Sequence, residues 1–153
     1  MNYWGKTSLK RMDGVYPYLI ECATMTVVEC NTIYGFDLTV PWLGGVRTAL
    51  QQNDAFKRGA SKCDGYKLLS YHQVEATPEN PFGMALDLRP VGWTKMSANE
   101  LNRLQNLIGR LMLMNWQELI LKYAQDGIDI GVMVWGGTFG STSWDRPHVE
   151  IRL

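Results

Sequence analysis

Two histidines are the only imidazoles in the chain, and each lies near the margin of a predicted strand. His72 stands in an irregular segment before one strand, and His148 opens the last strand after a glycine-rich loop. Asp87 lies inside the apolar segment 84–88, where a buried carboxylate is costly unless it is paired or bound to a metal. Metal binding is one hypothesis for these residues. The alternatives are histidines with a structural or surface role and an ion pair between Asp87 and Arg89 or another arginine.

The second histidine lies between two acidic residues, with Asp145 three positions before it and Glu150 two positions after it. Pro147 disfavours helical backbone at the residue before it, so Asp145 and His148 are expected to meet across a bend. Two imidazoles and one carboxylate suit zinc as three protein ligands and leave the fourth position for water, as in catalytic sites. A second carboxylate that does not bind the metal could then act as a base. The residues alone leave open which acid takes which role.

The elements that must position these residues combine helices with short strands. Hydrophobic periodicity and capping patterns predict helices over three ranges, about 15–30, 49–58 and 97–126. Alternating or apolar segments predict strands at 84–88, 129–135 and 148–152 and extended chain at 33–41. Residues 1–14 are a lead-in, and 60–83 are irregular because glycine and proline interrupt them. These elements predict one α+β domain over residues 1–153, a small antiparallel sheet flanked by helices, without a separate binding module.

Composition narrows the classes of partner. A chain of 153 residues with 46% hydrophobic and 20% charged residues has room for one compact domain. Fifteen basic and fifteen acidic residues cancel, which disfavours nucleic acid and anionic membranes as partners. No segment approaches the roughly 18 apolar residues of a membrane span, and the first residues lack the pattern of a secretory signal. Three cysteines without a C-x-x-C pair indicate reduced thiols.

Several short segments occur in the order of the motifs of one peptidase family. They are Ser-x-His at 70–72, Gly-x-Ala-x-Asp at 83–87, Trp-Gly-Gly at 135–137 and acid-x-x-His at 145–148. With these segments, the chain resembles the zinc peptidases that include D-alanyl-D-alanine carboxypeptidases and dipeptidases and the L-alanyl-D-glutamate endopeptidases of phage endolysins. Residues 45–48, 8–12, 15–17 and 59–62 extend the resemblance over nearly the whole chain. It implies the fold that this family shares with the Hedgehog signalling domain.

The resemblance implies a ligand set and a base. His72, Asp87 and His148 would bind zinc, which activates a water molecule for attack on the scissile carbonyl. Asp145 would be the general base, because the family's base stands three residues before the second histidine. Glu150 is the rival for that role, and it fits equally well as a partner that orients His148 from outside the ligand set.

Three further residues follow from the same resemblance. Arg47 would stabilise the oxyanion, since its guanidinium is permanently charged. Ser70 and Gln51 would line the substrate site. The alternative for Arg47 is an ordinary ion pair with Asp54 or Asp37.

One departure from the family lies between the first histidine and the aspartate. His72 and Asp87 are 15 positions apart, more than is usual in the family, because residues 74–82 lengthen the intervening loop. This loop would either form a lip over the cleft or project into solvent.

The function implied by the resemblance is a phage-type endolysin, a zinc endopeptidase that cuts the stem peptide of bacterial peptidoglycan at the L-alanyl-D-glutamate bond. It would be made without a signal peptide, wait in the host cytoplasm and act on the cell wall after release. We expect a monomer whose partner is the peptidoglycan peptide, without nucleic acid or membrane insertion. A D,D-carboxypeptidase acting on terminal D-alanine, a non-catalytic zinc-stabilised wall-binding module, and a glycan-cleaving lysin using Asp145 and Glu150 remain alternatives.

Overall fold

Four helices and five short strands make up the regular structure of residues 3–153, which the computed structural model describes. Helices α1 to α4 span Lys6–Arg11, Pro17–Thr32, Ala49–Lys57 and Ala98–Ala124. Strands β1 to β5 span Leu38–Thr39, Ala85–Asp87, Arg89–Pro90, Val132–Trp135 and His148–Arg152. Single 3-10 turns lie at Val74–Ala76, Trp93–Lys95 and Gly136–Thr138. The predicted α+β class, with small antiparallel sheets flanked by helices, is confirmed.

The main sheet places two of the candidate ligands side by side. Its three strands are antiparallel in the order β2, β5, β4, so the last strand of the chain lies in the centre. In this register Asp87 is directly opposite His148, and side chains that face each other across such a pair are in contact range. A second, two-stranded sheet pairs β1 with β3 and continues from the end of β2.

The hydrophobic core forms where α2 packs against α4. Polar groups within this interface are paired: the Thr26 hydroxyl donates to the carbonyl of Cys22 and accepts from the side chain of Asn115. Burial raises the pKa of Cys22 and raises that of Cys30 to about 12. The cysteines of the described chain are free thiols, in agreement with the sequence. Within residues 3–153, no helix combines the length and apolar character that a membrane crossing requires.

The predicted boundaries need several corrections. The lead-in contains helix α1, and α2 begins at Pro17 because Val15 bridges to Gly83 and Tyr16 is the N-cap residue. The extended segment 33–41 contributes only the two residues of β1. Strand β4 begins at Val132, later than predicted, since the Asp129 carboxylate accepts the amide of Gly131 and closes a turn there.

Candidate metal centre

Three separate segments bring His72, Asp87 and His148 together. The Nε2 atom of His72 lies 3.2 Å from Nδ1 of His148. The Oδ1 atom of Asp87 lies 3.3 Å from the first of these nitrogens and 3.0 Å from the second. All three residues are buried or nearly so. This group can hold a metal ion, because each residue turns one ligand atom toward the same point.

Each imidazole makes a hydrogen bond through the ring nitrogen that points away from the other two ligands. This bond determines which nitrogen faces the candidate metal position. Nδ1 of His72 lies 2.8 Å from the carbonyl of Gly45, and Nε2 of His148 lies 2.9 Å from Oε2 of Glu150. A carbonyl or carboxylate oxygen only accepts, so each of these nitrogens carries a proton and donates it. In the neutral imidazoles, the inward nitrogens, Nε2 of His72 and Nδ1 of His148, therefore keep free lone pairs for a metal.

Two features outside the ligand set support these hydrogen bonds. Position 45 requires glycine, because a Cβ there would overlap the backbone carbonyl of Arg11 and displace the segment whose carbonyl accepts from His72. Glu150 is itself held by Arg152, whose Nε and Nη2 atoms lie 3.0 Å and 2.7 Å from Oε1. The structure thus places Glu150 against His148, in the orienting position that was one of its two predicted roles.

The electrostatics of the three residues favour a positive charge between them. Burial lowers the pKa of His72 and would raise that of Asp87, but the two histidines hold the pKa of Asp87 well below its usual range. Burial also lowers the pKa of His148, but hydrogen bonds to Asp87 and Glu150 outweigh it and raise the pKa to about 10. Without a metal, a proton on His148 provides this positive charge. A cation that binds here must displace that proton.

Arg47 is fixed by three hydrogen bonds. Its Nη2 atom lies 3.0 Å from Oδ2 of Asp87, Nε donates to the carbonyl of Leu43 at 2.6 Å, and Nη1 donates to Oε1 of Gln52 at 3.0 Å. The sequence suggested Asp54 or Asp37 as the ion-pair partner of Arg47. The observed partner is Asp87. The same contact shows that Arg47, rather than Arg89, is the arginine paired with Asp87. The guanidinium is thus held at the wall of the cleft beside the metal group.

Asp145 is a half-buried carboxylate beside the three ligands. Its backbone carbonyl accepts the amide of His148 at 3.1 Å, which forms the expected bend. Within residues 3–153, its carboxylate makes no hydrogen bond and no ion pair. Burial is the main cause that raises the pKa of Asp145 to about 6. Gly136 allows this placement, because a Cβ there would overlap the carbonyl of Asp145.

A cleft of about 310 Å³ opens over the metal group. Ser70 lines it, and its hydroxyl accepts the amide of His72 at 3.3 Å. Trp144 and Phe139 also line it, with their ring centroids 5.6 Å apart. Residues 74–82, the lengthened loop, are not among the residues that line this cleft. Of the two predicted arrangements, the loop 74–82 therefore does not form a lip over the cleft.

Gln51 is not brought to the cleft. Its side chain accepts the amide of Thr48 at 2.9 Å and completes the capping box of α3, as the sequence pattern predicted. The neighbouring Gln52 is the glutamine of the site, because it is fully buried, binds Arg47 and donates to Ser61 and to the carbonyl of Cys63. The capping pattern itself was the available signal, since a side chain committed to a cap is not free to line a cleft.

Neither the known family models nor the curated proteins gave a match to this chain.

Proposed function

We propose that this protein is a zinc-dependent endopeptidase that hydrolyses the stem peptide of bacterial peptidoglycan, with the L-alanyl-D-glutamate bond as its preferred target. One observation carries the proposal: three inward-facing ligand atoms lie in a cleft beside a half-buried carboxylate that has no hydrogen-bond or ion-pair partner among residues 3–153. The ordered motifs of residues 45–48, 70–72, 83–87 and 145–148 support the choice of peptidase and substrate.

Zinc suits the three donor atoms. Tetrahedral zinc with nitrogen and oxygen ligands at about 2.0–2.2 Å separates neighbouring ligand atoms by about 3.3–3.5 Å. The observed separations of 3.2, 3.3 and 3.0 Å are close to these values. Three protein ligands with an adjoining cleft are also typical of catalytic zinc, whereas structural zinc is enclosed by four. This difference disfavours a non-catalytic wall-binding module.

Asp145 moves the proton in the proposed reaction. When bound, zinc lowers the pKa of a water molecule and polarises the scissile carbonyl. The Asp145 carboxylate accepts the proton of the attacking water and later donates it to the leaving amine. A pKa raised toward neutrality by burial suits both steps, because the group must accept and release the proton at the same pH. Glu150 is less suited, since His148 and Arg152 already occupy its oxygens.

Arg47 supplies the permanent positive charge near the scissile carbonyl. Its hydrogen bonds to Leu43, Gln52 and Asp87 fix the guanidinium before substrate binds, which is the condition for effective oxyanion stabilisation. Ser70 and the aromatic rings of Trp144 and Phe139 would contact the peptide in the cleft.

The cellular role that we propose is that of a phage-type endolysin. The protein would be made in the host cytoplasm, reach the wall after release and act as a monomer on the peptidoglycan peptide. With no net charge, it would find the wall through the cleft rather than through a long-range field.

The test is digestion of purified peptidoglycan with the zinc-loaded protein, followed by mass analysis of the products. The proposal predicts fragments with a new glutamyl amino terminus. Release of free D-alanine from an intact cross-linked wall would instead identify a D,D-carboxypeptidase. New reducing sugars would identify a glycan-cleaving lysin, and binding without any product would identify a wall-binding module.

A further inference from the structure

A second pocket lies beside the metal group, on the side of β3. It has a volume of about 370 Å³ and shares Arg47, Asp87 and Asp145 with the main cleft. The two cavities therefore meet at the candidate metal centre. A peptide placed over this centre can reach the main cleft on one side and the second pocket on the other.

Arg89 is the distinctive residue of the second pocket. It stands two residues after Asp87, and its guanidinium stacks over the ring of Trp93 at 4.1 Å from the centroid. The side chain is half-buried, and within residues 3–153 it has no hydrogen bond and no ion pair. The carboxylates of Asp87 and Asp145 lie near enough to attract this guanidinium, but neither accepts a hydrogen bond from it. A guanidinium carries five N–H donors, so partial burial without such bonds leaves this group short of acceptors.

The charge balance of the pocket leaves room for an anion. Three guanidinium groups line it, those of Arg47, Arg58 and Arg89, against the two carboxylates of Asp87 and Asp145. In the sum of charges, Arg47 is matched by Asp87, its ion-pair partner, although its guanidinium stays charged. The two remaining guanidinium groups, those of Arg58 and Arg89, then face a single carboxylate, that of Asp145. A cation at the metal centre would make the net charge of the pocket still more positive.

We propose that Arg89 is a specificity-determining residue that binds a carboxylate on the substrate residue next to the scissile bond. This inference rests on the proposed peptidase function and names the group that the second pocket selects. The glutamyl residue of an L-alanyl-D-glutamate bond fits, because its free carboxylate is attached to the carbon that bears the scissile nitrogen. Guanidinium and carboxylate match in geometry and charge, which gives a contact stronger than one between neutral groups.

The test compares two synthetic stem peptides that differ only in this carboxylate, which is free in one and a carboxamide in the other. Wild-type zinc-loaded protein should cleave the carboxylate peptide with a kcat/KM about tenfold or more above that of the carboxamide peptide. Arg89→Gln should remove most of this preference, chiefly through KM, and Arg89→Lys should retain part of it. Arg110→Gln, an exposed change on α4, is the matched control and should keep the full preference.

Each outcome decides the inference. Equal cleavage of the two peptides by the wild type, or a preference that Arg89→Gln leaves intact, overturns it while the peptidase function stands. If neither peptide is cleaved, the proposed function fails, and calorimetric binding of the same two peptides decides. Tighter binding of the carboxylate peptide that depends on Arg89 then supports the inference, and equal or absent binding overturns it.

Discussion

The Nε2 atom of His72 and the Nδ1 atom of His148 lie 3.2 Å apart and face the same carboxylate oxygen of Asp87. This contact joins residues that are 76 positions apart in the chain. Each imidazole is fixed by a hydrogen bond from its outer nitrogen, so the inward pair is already aligned before a metal arrives. Preorganised ligands of this kind lower the cost of ordering the site when the metal binds.

Zinc binding should release a proton from His148. Because its pKa is raised to about 10, His148 is protonated at neutral pH in the metal-free protein, and a metal must compete with that proton. The apparent zinc affinity should therefore fall about tenfold for each unit by which pH is lowered near pH 7. Calorimetry in buffers of different ionisation enthalpy should report about one proton released per zinc bound. A binding enthalpy that is the same in all buffers would contradict this assignment.

Asp145 should set the acidic limb of the activity profile. Its carboxylate must be ionised to accept a proton, and its pKa is raised to about 6, so kcat/KM should rise as pH increases through this region. A cation bound at the metal centre stabilises the ionised Asp145 carboxylate. The midpoint of the acidic limb should therefore lie at or below about pH 6. With zinc kept saturating at every pH, Asp145→Asn should keep bound zinc, lose about 100-fold or more of kcat and abolish the limb. Full activity in this variant would transfer the role to Glu150.

Gln52 should matter more for turnover than Gln51. Gln52→Leu removes the acceptor for Nη1 of Arg47 and the donor for Ser61, so the guanidinium loses part of its support. We expect kcat to fall about tenfold with zinc retained, since a 1 Å displacement of a positioning contact has effects of this size or larger. Gln51→Leu is the matched control and should cost only its share of the capping box, about 0.3–1.5 kcal/mol of stability. Equal losses of kcat in the two variants would refute this division.

Both the successes and the failures of sequence reasoning have physical causes. The grouping of His72, Asp87 and His148 and the strands at about 84–88 and 148–152 were predictable, because motif spacing indicates the group and local alternation indicates the strands. The partner of Arg47 was not, since Asp87 approaches it only through the tertiary fold. Gln51 was misplaced because adjacent helical residues point about 100° apart, and the capping box directs Gln51 to the backbone while Gln52 faces inward. The lack of a hydrogen-bond partner for the Arg89 side chain within the described residues 3–153 has no signal in the sequence.

Gly109 on α4 should be intolerant of substitution. A Cβ at this position would overlap the indole of Trp135, whose Nε1 donates to the carbonyl of Arg146 at 2.7 Å and so holds the segment of Asp145. Gly109→Ala gains about 1 kcal/mol of helix propensity but forces overpacking that costs about 1–3 kcal/mol. Urea unfolding should show a net loss, and activity should fall with it. Asn102→Ala, exposed on the same helix, should be neutral or stabilising. A more stable Gly109→Ala protein would contradict the packing argument.

The dependence of peptidoglycan hydrolysis on zinc is tested by adding zinc back to the metal-free protein, with new amino termini in purified peptidoglycan as the readout. We expect no cleavage after complete metal removal and a linear recovery that ends at one zinc per chain. His148→Ala should neither retain zinc nor recover, whereas Asp145→Ala should retain zinc and stay nearly inactive. Cleavage that survives complete metal removal would show that hydrolysis does not depend on zinc.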